Sequence, residues 1–168
     1  RKVIAELEQA RRAYADPAIY VLDRTVVRIF PGGARLTLTH NIIKILTKEG
    51  AEHFGEVHLP ERADVLVLRT VKRDGSTREP EEISGKQSIS APDLEVGDYV
   101  ELEHVVPEEA PAAFPGGFLA ERFYFRSPEA PLVRTEYVVV APAGMELTTD
   151  ARGAAPPAVV RTAAGLTV

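Results

Sequence analysis

The feature that most constrains this chain is the repetition, from Ala18 onwards, of runs rich in β-branched and aromatic residues. Gly, Pro, Asp and Asn separate the runs, and tight turns favour these residues. About ten such runs at short spacing are typical of an antiparallel sandwich of two sheets. We therefore predict an all-β domain, an antiparallel two-sheet β-sandwich of about ten strands, over residues 17–168.

Turn residues divide this region into individual predicted strands. The strands are expected over residues 19–30, 34–47, 54–59, 65–72, 99–106, 119–126, 132–141, 145–149 and 158–162, with a last one at the C-terminus. Pro31-Gly32-Gly33 and Asp74-Gly75 predict hairpins, and Lys48-Glu49-Gly50 predicts a turn. A change of apolar parity predicts a β-bulge near Ile42-Ile43. The turn at Gly97-Asp98 begins what we predict to be a central strand.

Residues 1–16 form a separate N-terminal segment, a helix or a linker from an upstream region. Apolar residues recur there at helical spacing, at Val3, Leu7, Ala10 and Tyr14. This spacing predicts one amphipathic helix, which Asp16-Pro17 ends because proline disfavours a helical residue before it. Two interpretations stay open: a helix packed on its own domain, or the last helix of an upstream helical repeat array.

Composition excludes several classes of function. The chain has no cysteine, which removes disulfides, thiol nucleophiles and thiolate metal sites. Its net charge of −5 argues against a surface for nucleic acid or anionic lipid. No apolar run approaches the length of about 18 residues that suggests a membrane span. Because the chain begins at Arg1 and its only methionine is Met145, we expect a piece of a longer polypeptide.

The four histidines are the remaining candidate metal ligands. His40 and His104 lie on the apolar parity of their strands, and we expect these strands to face each other across the core. Zinc needs three or four protein ligands, and no neighbouring residues show ligand spacing. We therefore interpret both as packed histidines, and we expect solvated roles for His53 and His58. No metal or cofactor site is predicted.

Glu101 and Glu103 project to one face of the predicted central strand. Paired carboxylates do acid–base work in glycosidases, so a hydrolytic site of Glu101, Glu103 and His104 is one alternative. Alternation in an antiparallel strand, however, places charged residues on the solvent face in any case. Neither a serine nucleophile elbow nor a phosphate-binding glycine loop occurs. We therefore expect no catalytic residues in this chain.

The candidate interaction site is a loop rich in proline and glycine. It consists of Phe114, Pro115, Gly116, Gly117 and Phe118. Two aromatic rings on such a loop are exposed unless something covers them. We expect both rings to fold back onto the core of the sandwich. The alternative is that the loop docks a neighbouring domain or stacks on a sugar.

Several short marks occur together in this sequence. In chain order they are Arg73-Asp74-Gly75, Leu94-Glu95-Val96-Gly97-Asp98-Tyr99-Val100-Glu101, Phe123-Tyr124-Phe125, Pro131-Leu132-Val133 and Tyr137-Val138-Val139-Val140-Ala141-Pro142. Taken together they resemble the bacterial domain-of-unknown-function family 3857 over about residues 18–168. The Asp-Gly hairpin and the Leu-x-x-Gly-Asp turn are the most specific of these marks.

The resemblance implies a β-sandwich placed before a transglutaminase-like, papain-type domain, often in exported or envelope proteins and sometimes beside tetratricopeptide repeats. It implies a non-catalytic accessory domain that packs against, or presents substrate to, that downstream domain. The catalytic Cys-His-Asp set would belong to the downstream domain. The alternative function is a carbohydrate- or peptide-binding module of the cell envelope. The expected partners are the downstream domain, upstream helical repeats, and a glycan or peptide, and the expected location is the periplasm or envelope.

Overall fold

The computed structural model describes residues 2–10, 13–81, 88–120, 122–153, 158, 160–162 and 165–167. Within these ranges the chain forms ten strands and two short helices. In chain order they are α1 (Lys2–Ala10), β1 (Ala18–Ile29), β2 (Arg35–Ile45), α2 (Lys48–Phe54), β3 (Glu56–His58), β4 (Asp64–Val71), β5 (Thr77–Arg78), β6 (Ser88–Ser90), β7 (Tyr99–Glu108), β8 (Thr135–Ala141), β9 (Val160–Thr162) and β10 (Gly165–Thr167). The predicted all-β fold with an N-terminal helix is confirmed.

Eight strands form one sheet, in the order β5-β4-β7-β2-β1-β8-β10-β9, and β3 pairs with β6 in a second, two-stranded sheet. β1 and β2 form the predicted hairpin, and β7 is the predicted central strand. Among the described strand pairs, only β1 and β8 run parallel. This pair departs from the expected antiparallel pattern because residues 109–134 form a long connection that carries the chain back before β8 begins.

The two faces of the large sheet are covered by different elements. On one face, which we call the α2 face, α2 and the two-stranded sheet cover a cluster of Ala18, Ile45, Val57, Leu68, Ile89, Ala91 and Val100. On the opposite face, the α1 face, α1 covers a cluster of Leu7, Ile19, Val21, Leu22, Ile42 and Tyr99. The fold is therefore sandwich-like, and burial of apolar side chains on both faces stabilises the sheet.

The β-bulge predicted in the second strand lies in the first strand instead. The register between β1 and β2 shifts between Tyr20 and Leu22, opposite Ile42 and Ile43. Val21 is the extra residue, and both Val21 and Leu22 are buried in the cluster beneath α1. β2 itself alternates regularly. The apolar residues of β2 change from one face to the other at Ile43 because the side chains before Ile43 on the α2 face are polar, and not because the strand is bulged.

α2 occupies the position where the sequence predicted a turn followed by a strand. Thr47 caps the helix, since its hydroxyl accepts a hydrogen bond from Gly50 N at 3.1 Å. Gly50 approaches Pro17 so closely that an added Cβ would lie 2.1 Å from the Pro17 carbonyl oxygen. The predicted strand shortens to β3 because Phe54 belongs to the helix, where its ring packs edge-on against Tyr20.

The turn before β7 is held by the carboxylate of Asp98, which is only 1% exposed. Its two oxygens accept hydrogen bonds from Glu95 N at 2.9 Å and from Arg73 N at 3.3 Å. Lys72 Nζ lies 2.7 Å from the same carboxylate. Gly97 has a φ of +96°, a left-handed conformation that favours glycine. The carboxylate thus joins the Gly-Asp turn to the hairpin between β4 and β5.

Two predicted strands, those at residues 119–126 and 145–149, are irregular where the structure describes them, and Glu121 lies outside the described residues. Phe123 and Phe125 alternate as in a strand, but their rings pack against each other, with centroids 5.0 Å apart, and neither residue belongs to a sheet. Met145 packs against a third cluster, whose buried members are Val27, Ile29, Val139 and Ala141. These segments therefore pack in or beside the core without extending the ladder of strands.

α1 ends at Ala10, before the predicted end at residue 15, and Arg11 and Arg12 lie outside the described residues. Tyr14 lies beyond the helix but packs against the same cluster as Leu7. α1 therefore packs on the sheet of this domain. No helix in the described part of the chain is long and apolar enough to cross a membrane.

Candidate functional site

A row of hydrogen-bonding side chains crosses the α2 face of the sheet. Tyr137 on β8 lies opposite Thr25 on β1. Thr25 lies opposite Thr39 on β2, which in turn lies opposite His104 on β7. Residues that lie opposite each other in a sheet project to the same face, so the four side chains are neighbours. This row was not predicted from the sequence.

These side chains form part of the floor of a cleft of about 350 Å³. The rest of the floor consists of Val27, Arg35, Thr37, Val106 and Glu108. The walls come from the loop before β4 and from the segment after β7, and they consist of Pro60, Phe118, Ala120, Arg122 and Phe123. Small-molecule sites are typically apolar clefts of ~300–1,000 Å³ with a few convergent polar groups. The volume of the cleft falls at the lower end of this range.

His104 is almost completely enclosed, with 6% of the residue exposed. Burial lowers the pKa of its imidazole, which is therefore neutral at neutral pH. Its Nδ1 atom is buried and has no hydrogen-bond partner among the described residues. An unpaired buried polar atom costs about 1–3 kcal/mol. The cleft floor therefore contains one hydrogen-bonding atom whose capacity is unused.

The charges along the cleft are mostly paired. Arg35 makes two hydrogen bonds to the carboxylate of Glu108, with 2.8 Å between Nε and Oε2, and this contact lowers the pKa of the Glu108 carboxyl. The Arg35 guanidinium also lies 5.7 Å from the centre of the Phe118 ring. Arg122 is exposed, and its Nη1 donates to the Tyr124 hydroxyl at 3.4 Å. The charge of Arg122 lies at the rim of the cleft, within electrostatic reach of Asp150, whereas the charges of Arg35 and Glu108 are paired at the floor.

Glu101 lies on the α1 face and is 9% exposed, although the sequence predicted a solvent-facing side chain. His40 Nε2 lies 3.0 Å from one carboxylate oxygen, and Arg69 Nε donates to the other at 2.7 Å. The hydrogen bond with His40 and then that with Arg69 lower the pKa of Glu101 to about 2. The prediction is wrong for Glu101 because β7 lies between β2 and β4, whose side chains cover it from both sides.

Acidification is expected to remove the stabilisation that Glu101 supplies. Its pKa in the folded chain, about 2, lies below the ordinary value of 4.5. The contribution is therefore complete well above pH 4.5 and declines as the pH falls from there towards 2. The quantity to compare is the free energy of unfolding of wild type minus that of Glu101→Gln. We expect this gap to be larger by about 2 kcal/mol at pH 7 than at pH 3. Urea denaturation at the two pH values measures this difference.

Glu103→Gln is the matched control, because Glu103 lies on the same strand and the same face as Glu101. The assignment to Glu101 fails if the Glu103 variant shows an equal pH-dependent gap. It also fails if the gap between wild type and Glu101→Gln is the same at both pH values.

The prediction that the strands of His40 and His104 face each other across the core is wrong. β2 and β7 are neighbours in one sheet, and His104 lies opposite Thr39, the residue before His40. Successive residues of a strand project to opposite faces, so His40 belongs to the α1 face and His104 to the α2 face. The same alternation separates His104 from Glu101 and Glu103. The hydrolytic alternative therefore lacks a common site.

His53 and His58 lie apart from the cleft that contains His104 and from the ion pair of His40 with Glu101. His53 packs edge-on against Phe54 in α2, and His58 is exposed on β3. Over the part of the chain that the structure describes, no group of three His, Cys, Asp or Glu side chains is arranged to hold a metal ion.

The predicted interaction loop directs its two rings differently. Phe114 is 58% exposed, whereas Phe118 packs against the cluster around Val27 and lines the cleft. Gly116 N donates to Gly32 O at 3.2 Å, which fixes the loop to the β1–β2 hairpin. The expectation that the loop contacts a partner therefore concerns Phe114, and the expectation of a ring folded onto the sheet concerns Phe118.

The fold and the cleft define an all-β, sandwich-like domain with polar side chains collected on one sheet face. Residues 33–168 match the family described as a domain of unknown function with a solved structure, DUF3857, and the chain belongs to this family. The family resemblance inferred from the Asp-Gly hairpin and the Leu-x-x-Gly-Asp turn is thus confirmed. The family description names no catalytic activity.

A similar fold occurs in the crystal structure of a protein from Parabacteroides distasonis ATCC 8503 that is described as a "putative protease". The similarity covers 90% of this chain with a TM-score of 0.72 and 13% sequence identity, and at this identity it shows the fold alone. The chain spans 34% of the length of that protein. Comparison with curated proteins gives no match.

Proposed function

We propose that this is a non-catalytic accessory domain that packs against, and presents substrate to, a downstream transglutaminase-like domain of the same polypeptide. The observation that carries the proposal is the set of exposed apolar side chains among residues 114–120 and 122–125, which we call the aromatic segment. Its exposed apolar side chains are Phe114 (58%), Leu119 (76%), Tyr124 (63%) and Phe125 (48%). Exposed large apolar side chains that lie close together in the chain are candidates for an interaction site, because their burial by a partner is favourable.

The position of the aromatic segment supports a contact with a neighbouring domain. It belongs to the long connection between β7 and β8, and Phe118 and the Gly116–Gly32 bond fix its first part to the sheet. A segment fixed in this way can present its exposed rings with little loss of conformational freedom on binding. The Parabacteroides distasonis protein has the shared fold in about a third of its chain, which leaves further chain for the fold to contact there.

The test is made in the parent polypeptide, with the 168-residue chain for comparison. We expect amide hydrogen exchange in the aromatic segment to be at least several-fold slower in the parent than in the isolated chain. The double variant Leu119→Ser/Tyr124→Ser should abolish this difference and lower the melting temperature of the downstream domain by a few degrees.

Leu66→Ser is the matched control, since Leu66 is 52% exposed but lies on β4, outside the aromatic segment. It should leave both the exchange difference and the melting temperature unchanged. Equal exchange of the aromatic segment in the two proteins would overturn the proposal, and so would a parent without a transglutaminase-like domain.

A second candidate function is favoured by the cleft rather than by the aromatic segment. In this alternative the domain is a binding module for a carbohydrate or a peptide of the cell envelope. The cleft supports it because small-ligand sites combine apolar and aromatic walls with a few convergent polar groups, and the cleft has both. The two functions share part of one segment, because Phe118 and Phe123 line the cleft. Variants at Leu119 and Tyr124, which do not line the cleft, test the first function separately.

A further inference from the structure

We infer that the cleft on the α2 face binds an uncharged, hydroxyl-rich ring of sugar size, with Thr25, Thr39 and His104 as its hydrogen-bonding floor. This inference rests on the second candidate function and names the chemical class of its ligand. It does not use the exposed side chains of Phe114, Leu119, Tyr124 and Phe125, which do not line the cleft.

The floor offers side-chain groups and no free strand edge. β1, β2 and β7 are each paired on both sides in the sheet, so their backbone groups are already used. A peptide therefore cannot bind there by adding a strand, which is a common way in which sheets bind peptides. A ligand in the cleft must be recognised by the side chains of the polar row.

The polar row matches the hydrogen bonding of a sugar. The hydroxyls of Thr25 and Thr39 can each donate one hydrogen bond and accept others, and a neutral imidazole donates from one nitrogen and accepts at the other. Sugar hydroxyls have the same dual capacity. The charges of Arg35 and Glu108 are paired with each other by two hydrogen bonds. An uncharged ligand avoids breaking this pair.

The walls of the cleft suit the other surface of a sugar ring. Phe118 and Phe123 line the cleft, and the Phe123 ring lies 4.8 Å from that of Tyr137 at an angle of 31°. The C–H groups of a pyranose form an apolar face that packs on aromatic rings, while its hydroxyls project from the ring edge. The cleft thus provides an apolar wall for the C–H face of the sugar ring and a polar floor for its hydroxyls.

The unpaired Nδ1 of His104 gives this inference a specific consequence. The atom is buried, so a ligand hydroxyl reaches it only if the imidazole turns or the neighbouring side chains move apart. A half-turn of the imidazole exchanges the positions of Nδ1 and Cδ2. The reorientation would satisfy an atom that is otherwise unpaired, so occupancy of the cleft should change the imidazole resonances of His104.

The test is an NMR titration of the 168-residue chain. The probes are methyl glucoside, methyl galactoside, methyl mannoside and N-acetylglucosamine, with tetra-alanine as a peptide probe. We expect at least one sugar to shift the His104 imidazole signals and the Thr25 and Thr39 amides in a saturable way. Thr39→Val, which removes one floor hydroxyl at nearly constant volume, should weaken this binding at least about tenfold.

Thr77→Val is the matched control, because Thr77 lies on β5 at the edge of the sheet and outside the cleft. The Thr77→Val variant should bind the sugar with the same affinity as wild type. If all four sugars leave the His104 signals unchanged up to their solubility limits, the inference is wrong. If only tetra-alanine binds, the sugar assignment fails but the binding-module function stands, and if tetra-alanine is silent too, that function loses the cleft as its support.

Discussion

Replacement of Asp98 by alanine is expected to lower the free energy of unfolding by about 3 kcal/mol. The carboxylate is 1% exposed and has contacts with Glu95 N, Arg73 N and Lys72 Nζ. Its removal leaves the N–H groups of Glu95 and Arg73 without their acceptor, and it leaves the Lys72 ammonium without a buried carboxylate partner. The turn then no longer joins β7 to the β4–β5 hairpin. Urea denaturation at pH 7 measures the loss.

Asp74→Ala is the control for this prediction. Asp74 is exposed in the hairpin between β4 and β5, and its carboxylate accepts one backbone hydrogen bond, from Ser76 N at 2.8 Å. Loss of such an exposed bond should cost about 1 kcal/mol or less. Similar losses in the two variants would mean that the burial of Asp98 is not what makes its carboxylate important.

Gly50→Ala is the second variant with a large expected effect, and here two physical arguments predict opposite signs. Helix propensity alone predicts that alanine stabilises α2 by about 1 kcal/mol. The new Cβ, however, would lie 2.1 Å from the carbonyl oxygen of Pro17, and a backbone atom cannot yield without moving the start of β1. We therefore expect a net loss of about 2–3 kcal/mol, measured by urea or thermal denaturation.

Glu49→Ala tests whether the effect belongs to the close contact or to the helix in general. Glu49 is the exposed neighbour of Gly50 in the first turn of α2. Its replacement should change the free energy of unfolding by less than about 1 kcal/mol. A stabilised Gly50→Ala protein would show that the helix can move away from Pro17.

The strands and hairpins were predictable because their signals are local. β-branched runs and turn pairs such as Asp74-Gly75 act through neighbouring residues only. α2 was not predictable in this way, since its stability comes from contacts with distant parts of the chain. Gly50 indicates a turn by its propensity, but it is needed because the helix lies against Pro17. The parallel pair of β1 and β8 likewise depends on tertiary packing.

The candidate cleft was harder to predict than the fold, because its floor depends on the register of four strands. Thr25 and Tyr137 become neighbours only through the pairing of β1 with β8. One signal was present in the sequence. Thr37 and Thr39 alternate in step with Ile43, so the three side chains share one sheet face, but the two threonines are polar. This difference indicates that the environment of the face changes along β2. Alternation also gave the correct face for Glu101, but not its burial by side chains of adjacent strands.

The pairing of β1 with β8 also determines the order in which the sheet is completed. β1 pairs on one side with its neighbour in the chain, β2, and on the other side with a strand that begins only at Thr135. Closing so long a loop costs entropy before the new contacts repay it, which slows folding. During synthesis β1 keeps one open edge until β8 emerges, and open edges pair readily with other chains. A polypeptide that stops before residue 135 thus has a core strand paired on one side only.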